Sequence, residues 1–100
     1  MTQYLATFVK DPAARLDYSI AWSKWLASGD TISTVAWAIE SGDGALTIGT
    51  GSYVPSVTGS TSTVWLEGGT VDTDYAVRAR VTTTAGRIDD RTLLVRIRAR

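Results

Sequence analysis

The side chains best placed for chemistry are five arginines at alternating positions near the end of the chain: Arg78 and Arg80, then Arg96, Arg98 and Arg100. Guanidinium groups repeated every second residue fall on one face of an extended strand, where they can pair with carboxylates or phosphates. The acids offer less. Asp89 and Asp90 are adjacent, so in a strand their carboxylates point to opposite faces and cannot share acid–base work; they are expected to solvate a hairpin or to pair with Arg87 and Arg91. Asp72 and Asp74 lie in one turn, but the dense oxygen ligands of a calcium loop are missing around them. There is no His and no Cys, which removes nearly all zinc sites and the usual Ser–His and Cys–His nucleophile pairs. Gly49, Gly51 and Gly59 fit neither phosphate-binding glycine spacing, and no lysine follows them. No catalytic set is legible, and no cofactor or metal site.

The arginines interleave with a second pattern. Tyr75, Val77, Ala79 and Val81 alternate with them on the way in, and Leu93, Val95, Ile97 and Ala99 on the way out, about a turn at Thr84-Ala85-Gly86-Arg87. That is a hairpin with one apolar face for a core and one charged face for solvent or a partner. Upstream, Leu16, Tyr18, Ile20 and Trp22 alternate with Asp17, Ser19 and Ala21, which predicts a half-buried strand. Ser23 to Leu26 is short and helix-compatible, with Trp25 and Leu26 expected to plug one end. Val35, Trp37 and Ile39 form the next inward set, and Ile32 falls out of phase, which predicts a bulge near Ser33-Thr34. Ala45 to Ile48 and Tyr53 to Val57 read as short strands. Val64 and Leu66 point inward and turn Trp65 outward, where it is either covered by neighbouring side chains or left for a partner. After the Glu67-Gly68-Gly69-Thr70 reversal, Tyr75 at the head of its strand matches a tyrosine corner, whose hydroxyl bonds back to upstream backbone.

The first residues behave differently. Tyr4, Ala6 and Phe8 are apolar at one parity and Leu5 and Val9 at the other, so neither face suits solvent. Residues 1–10 are therefore read as an arm or edge strand that can pair with a neighbouring copy, ended by Lys10-Asp11-Pro12, and residues 11–100 as the folded domain. One hundred residues suit one domain with a single core. About seven short strands separated by turn signals predict an all-β, immunoglobulin-like sandwich of antiparallel strands with a short N-terminal arm. No export signal is visible at the start, no apolar run approaches the roughly 20 residues of a membrane span, and the lack of cysteine suits a reducing compartment.

Charge is balanced overall but divided along the chain. From Arg78 onward seven Arg stand against Asp89 and Asp90, a net of +5; up to Val77, Lys10, Arg15 and Lys24 stand against eight acids, a net of −5. Such a division serves either matched contacts between subunits or an ordinary surface of cross-strand Arg–acid pairs.

Several segments together resemble a known family. Lys10-Asp11-Pro12, then Leu16 to Leu26, Gly29-Asp30-Thr31-Ile32 and Trp37 are similar to the front half of small tailed-phage proteins of the fiber-tail adaptor family. Val64 to Thr70, Tyr75, Val81 to Arg87 and Asp90-Arg91-Thr92-Leu93 are similar to its closing half, and the resemblance covers most of residues 8–100. It departs at Ala21, where the family's pattern has an acid before the Trp. The resemblance implies a non-enzymatic virion component at the neck or tail, made in the host cytoplasm and joining tail or connector to fibers in several copies around the tail axis. Tyr4, Phe8, Trp65, Arg78, Arg80, Arg96, Arg98 and Arg100 are then the candidate interface. Capsid decoration is a neighbouring alternative. A carbohydrate-binding sandwich would need Trp65, Tyr53 or Trp25 as one platform beside loop Asn, and the chain has no Asn. Overall neutrality and two Lys argue against a nucleic-acid partner.

Overall fold

Alternating apolar residues set the architecture, because each strand has one face to hide. The computed structural model describes residues 4–99. Met1 to Gln3 of the N-terminal segment and Arg100 of the arginine stripe lie outside the described residues. Among the described residues eight strands follow in order: β1 (Ala6–Lys10), β2 (Arg15–Ala21), β3 (Ile32–Ser41), β4 (Leu46–Ile48), β5 (Ser56–Thr58), β6 (Thr61–Gly68), β7 (Asp74–Thr83) and β8 (Ile88–Ile97), with a 3-10 turn at Gly51–Tyr53.

These strands build two sheets. The first has the order β1-β8-β7-β3; the second has the order β2-β6-β4, with β5 also on β6. Their inner faces meet in one core. Tyr18, Ile20, Leu46, Val64 and Leu66 come from the second sheet, and Tyr75, Val77, Ala79, Val81, Leu93, Val95 and Ile97 from the first. Each Val, Leu or Ile side chain among them contributes about 1.5–3 kcal/mol of hydrophobic stabilisation when fully buried. The alternation of the last hairpin is thus realised from Tyr75 to Ile97. Ala99 departs from it and is exposed, because β8 ends at Ile97 and the chain leaves the sheet.

Not every pair is antiparallel. β1 runs parallel to β8, from Ala6 opposite Leu93 to Lys10 opposite Ile97. A parallel pair cannot be closed by a tight turn, and here the whole remainder of the chain lies between the two strands. Phe8 points inward from β1 and packs on Tyr18, ring centroids 4.8 Å apart. Lys10 also points inward and is fully buried. Its ammonium donates to the carbonyls of Gly68 at 2.8 Å and Asp11 at 2.9 Å, which ties β1 of one sheet to the end of β6 in the other. Burial pushes its pKa below the usual lysine value.

The bulge at Ile32/Thr34 appears where Ile32 falls out of phase. Leu16, expected inward, stays 42% exposed because β2 is the outermost strand of its sheet. Ser23 to Leu26 forms a turn rather than a helix. The Trp25 and Leu26 amides both donate to the Trp22 carbonyl, and Trp25 stands edge-on to Trp22 at 5.6 Å. Trp22 itself is fully buried, and its indole N–H donates to Ser62 Oγ at 2.9 Å, so its polar edge is satisfied.

Candidate interface surfaces

Register assembles the outer face of the first sheet. Arg78 on β7 lies opposite Thr92 of β8 and Ala38 of β3; Arg80 lies opposite Asp90 and Ala36; Arg96 on β8 lies opposite Asp74. All of these point away from the core. Each described arginine of the stripe has an acid. Arg78 Nη1 meets Glu40 Oε1 at 2.5 Å, Arg80 grips Asp90 through two hydrogen bonds of 2.7 and 2.8 Å, Arg96 stands 3.5 Å from Asp74, and Arg98 donates to Asp74 at 3.1 Å. Arg80 thereby holds the Asp90 carboxyl below its ordinary pKa, and the guanidinium rises in turn.

The charge division of the sequence is largely resolved inside one chain. Glu40, Asp72 and Asp74 from the acidic part cross to Arg78, Arg96 and Arg98 of the basic part. The stripe is a neutral ionic lattice rather than a positive patch. Asp90, expected to solvate the hairpin or pair with Arg87 or Arg91, pairs with Arg80, because the hairpin register sets those two directly opposite. At such exposure each pair adds little to stability, so the lattice shapes a surface more than it stabilises a fold.

Beside the lattice runs an apolar lane. Val9 on β1 is 44% exposed, and Leu5 and Tyr4, 49% and 40% exposed, stand just before the strand. Between Tyr4 on one side and Glu40 on the other, the face dips into a concavity of about 510 Å³ floored by Ala76, Arg78 and Thr92. Phe8 does not share this surface, since it faces the core.

The second sheet carries a different chemistry. Trp65 points outward from β6 and is half-buried under Tyr53, whose ring stands edge-on at 5.0 Å. Over the other side of Tyr53, the Arg15 guanidinium lies 4.1 Å from the ring centroid, and Arg15 Nε donates to Glu67 at 2.7 Å. That bond raises the Arg15 pKa. Gly49 makes the stack possible. A Cβ there would lie 2.4 Å from the Tyr53 carbonyl oxygen and 3.1 Å from Trp65 Cβ. Trp, Tyr and Arg are the residue types that most often anchor protein interfaces.

Sequence reasoning names Trp65 but not its companions Arg15 and Glu67. The available signal is the antiparallel β2–β6 register, which sets Arg15 opposite Glu67 and Asp17 opposite Trp65. The second aromatic candidate, Trp25, sits beyond the far end of β2 against Trp22 and shares no platform with Trp65 and Tyr53. Among the described residues no group of three or more acidic side chains converges as a metal site would require.

The arrangement presents two outward faces, back to back on one core, one ionic and apolar, one aromatic. No curated protein matches the chain. The family model described as podophage GP4 fiber-tail adaptor protein gp77 matches residues 10–96, from the last residue of β1 to the penultimate residue of β8. With nearly all of both sheets inside that match, the chain belongs to the podophage GP4 fiber-tail adaptor protein gp77 family.

Proposed function

We propose that this protein is a non-enzymatic adaptor of the phage virion, seated at the neck or tail and joining tail or connector to fibers in several copies around the tail axis. The observation that carries this reading is the family match over residues 10–96. The geometry supports it. An adaptor must present two surfaces at a fixed angle, and here the Arg–acid lattice with its apolar lane and the Trp65–Tyr53–Arg15 stack lie on opposite sides of a single packed core. The fold we propose is immunoglobulin-like. The Tyr75 hydroxyl accepts the Thr70 amide at 2.9 Å, as a tyrosine corner does, and the chain switches sheet between β1 and β2, β2 and β3, β3 and β4, and β6 and β7.

The test is the solution mass of the purified protein, alone and mixed with the tail and fiber proteins encoded beside it. Joining one of them supports the adaptor, and Trp65→Ala and Arg80→Glu then show which face each partner uses. Retention on capsids instead, or on glycans alone, moves the function to decoration or recognition and sinks the adaptor reading.

A further inference from the structure

We propose that β3 is a dimerisation edge, pairing antiparallel with β3 of a second copy about a dyad that passes between the two Trp37 residues. β3 ends the first sheet, so among the described residues one row of its backbone donors and acceptors has no strand hydrogen-bonded to it. Exposed edges are ordinarily guarded by charge, proline or brevity. β4 and β5 are three residues each, β1 is five, and β2 carries Arg15 and Asp17. β3 has ten residues, and from Ile32 to Ile39 it contains no charge, no proline and no glycine.

The sequence of that edge is self-complementary. Val35-Ala36-Trp37-Ala38-Ile39 reads nearly alike in both directions, with β-branched residues two places either side of Trp37 and alanines one place either side. Antiparallel pairing about Trp37 sets Val35 opposite Ile39 of the other copy on the inner face, and Ala36 opposite Ala38 on the outer face. Side chains of one parity share one face, so this register is allowed and a one-residue slip is not. The inner row has surface to cover, because Val35, Trp37 and Ile39 are only half-buried and the neighbouring β5 leaves Val57 42% exposed. The Trp37 indole N–H is buried without an acceptor in the single chain.

A palindromic strand is what a two-fold contact requires, because the same patch must meet itself. Another protein's strand would need no such symmetry. The dyad stands normal to the sheet, so both copies turn their arginine lattices to the same side.

The test uses the whole chain alone, by light-scattering mass over a dilution series. Ala36→Glu with Ala38→Glu places carboxylates beside Arg80 and Arg78 in the monomer, where they are tolerated, but opposite one another across the dyad. Ala36→Glu with Ala38→Lys restores opposite charges across it. Expected are a two-chain mass for the wild type, one chain for the double Glu variant, and two chains again for the Glu/Lys variant. A wild type that stays monomeric, or a double Glu variant that keeps the wild-type mass, overturns the dyad. Should that variant fold poorly, hydrogen exchange of the wild-type β3 amides decides: protection lost on dilution supports the pairing, and protection independent of concentration overturns it. A monomer that still joins tail proteins would end this proposal and leave the adaptor reading standing; a dimer that joins none would do the reverse.

Discussion

The hydroxyl of Tyr75 donates to Asp43 Oδ1 at 2.5 Å while accepting the Thr70 amide at 2.9 Å, so one phenol fastens the start of β7 to the loops that leave β3 and β6. Its ring is fully buried, and Gly42 leaves room for it: a Cβ at that position would stand 2.2 Å from the ring. Tyr75→Phe should destabilise only modestly, because the exposed Thr70 amide and Asp43 carboxylate that lose the hydroxyl can turn to water. Tyr75→Ala should cost about 3–5 kcal/mol through the cavity. Gly42→Ala should also destabilise, since φ is +121° there as well. Urea unfolding of the three variants measures the order.

Acid should loosen the same corner. Asp43 accepts from Thr70 Oγ1, the Tyr75 hydroxyl and the Ala45 amide, which lower its pKa from 3.8 to about 2. A carboxylate whose folded pKa is depressed adds stability that is complete above its unfolded value and fades as pH falls through the folded one. The melting temperature should therefore decline between pH 4 and pH 2, and Asp43→Asn should flatten that part of the curve. An equally steep decline in Asp43→Asn would assign the acid sensitivity to other carboxylates.

The Arg80–Asp90 pair is exposed and bidentate. Arg80→Glu should leave the fold intact with a small loss of stability, and the exchange Arg80→Asp with Asp90→Arg should recover it. If the lattice is a docking face, binding to tail partners should fall in the single variant far more than stability does. Titration calorimetry beside thermal unfolding separates the two effects. Arg96→Glu should behave alike toward Asp74.

Removing residues 1–9 should cost more than a disordered arm would. It takes Phe8 from Tyr18 and strips the outer edge of β8, a loss of about 2–5 kcal/mol. A truncated chain with the wild-type unfolding midpoint would show that β1 contributes nothing to the folded body.

Local pattern carried most of this architecture. The period of two in Tyr75–Val81 and Leu93–Ile97 is a property of a single strand, so it is legible without knowing any neighbour. The dephased Ile32 betrays its bulge for the same reason. Partners across strands need one further step, the register. Fixing the hairpin at Thr82 opposite Ile88 places Arg80 against Asp90, and that pair was within reach of the sequence. Long-range relations were not. Nothing near Lys10 announces that its ammonium will be buried against the Gly68 carbonyl, and nothing near Tyr53 announces that it will lie on Trp65 with Arg15 above it. Those depend on how distant segments meet, and a solvated lysine is the commoner outcome for the type.

The parallel arrangement of β1 and β8 has a mechanical side. Both strands run the same way, so tension applied at Ala6 and at Ile97 drags β1 backward and β8 forward along their shared line of hydrogen bonds. The bonds from Ala6–Leu93 to Lys10–Ile97 are then loaded in shear, all at once, instead of being peeled open one after another. A pull along the two strands in those directions is therefore resisted collectively.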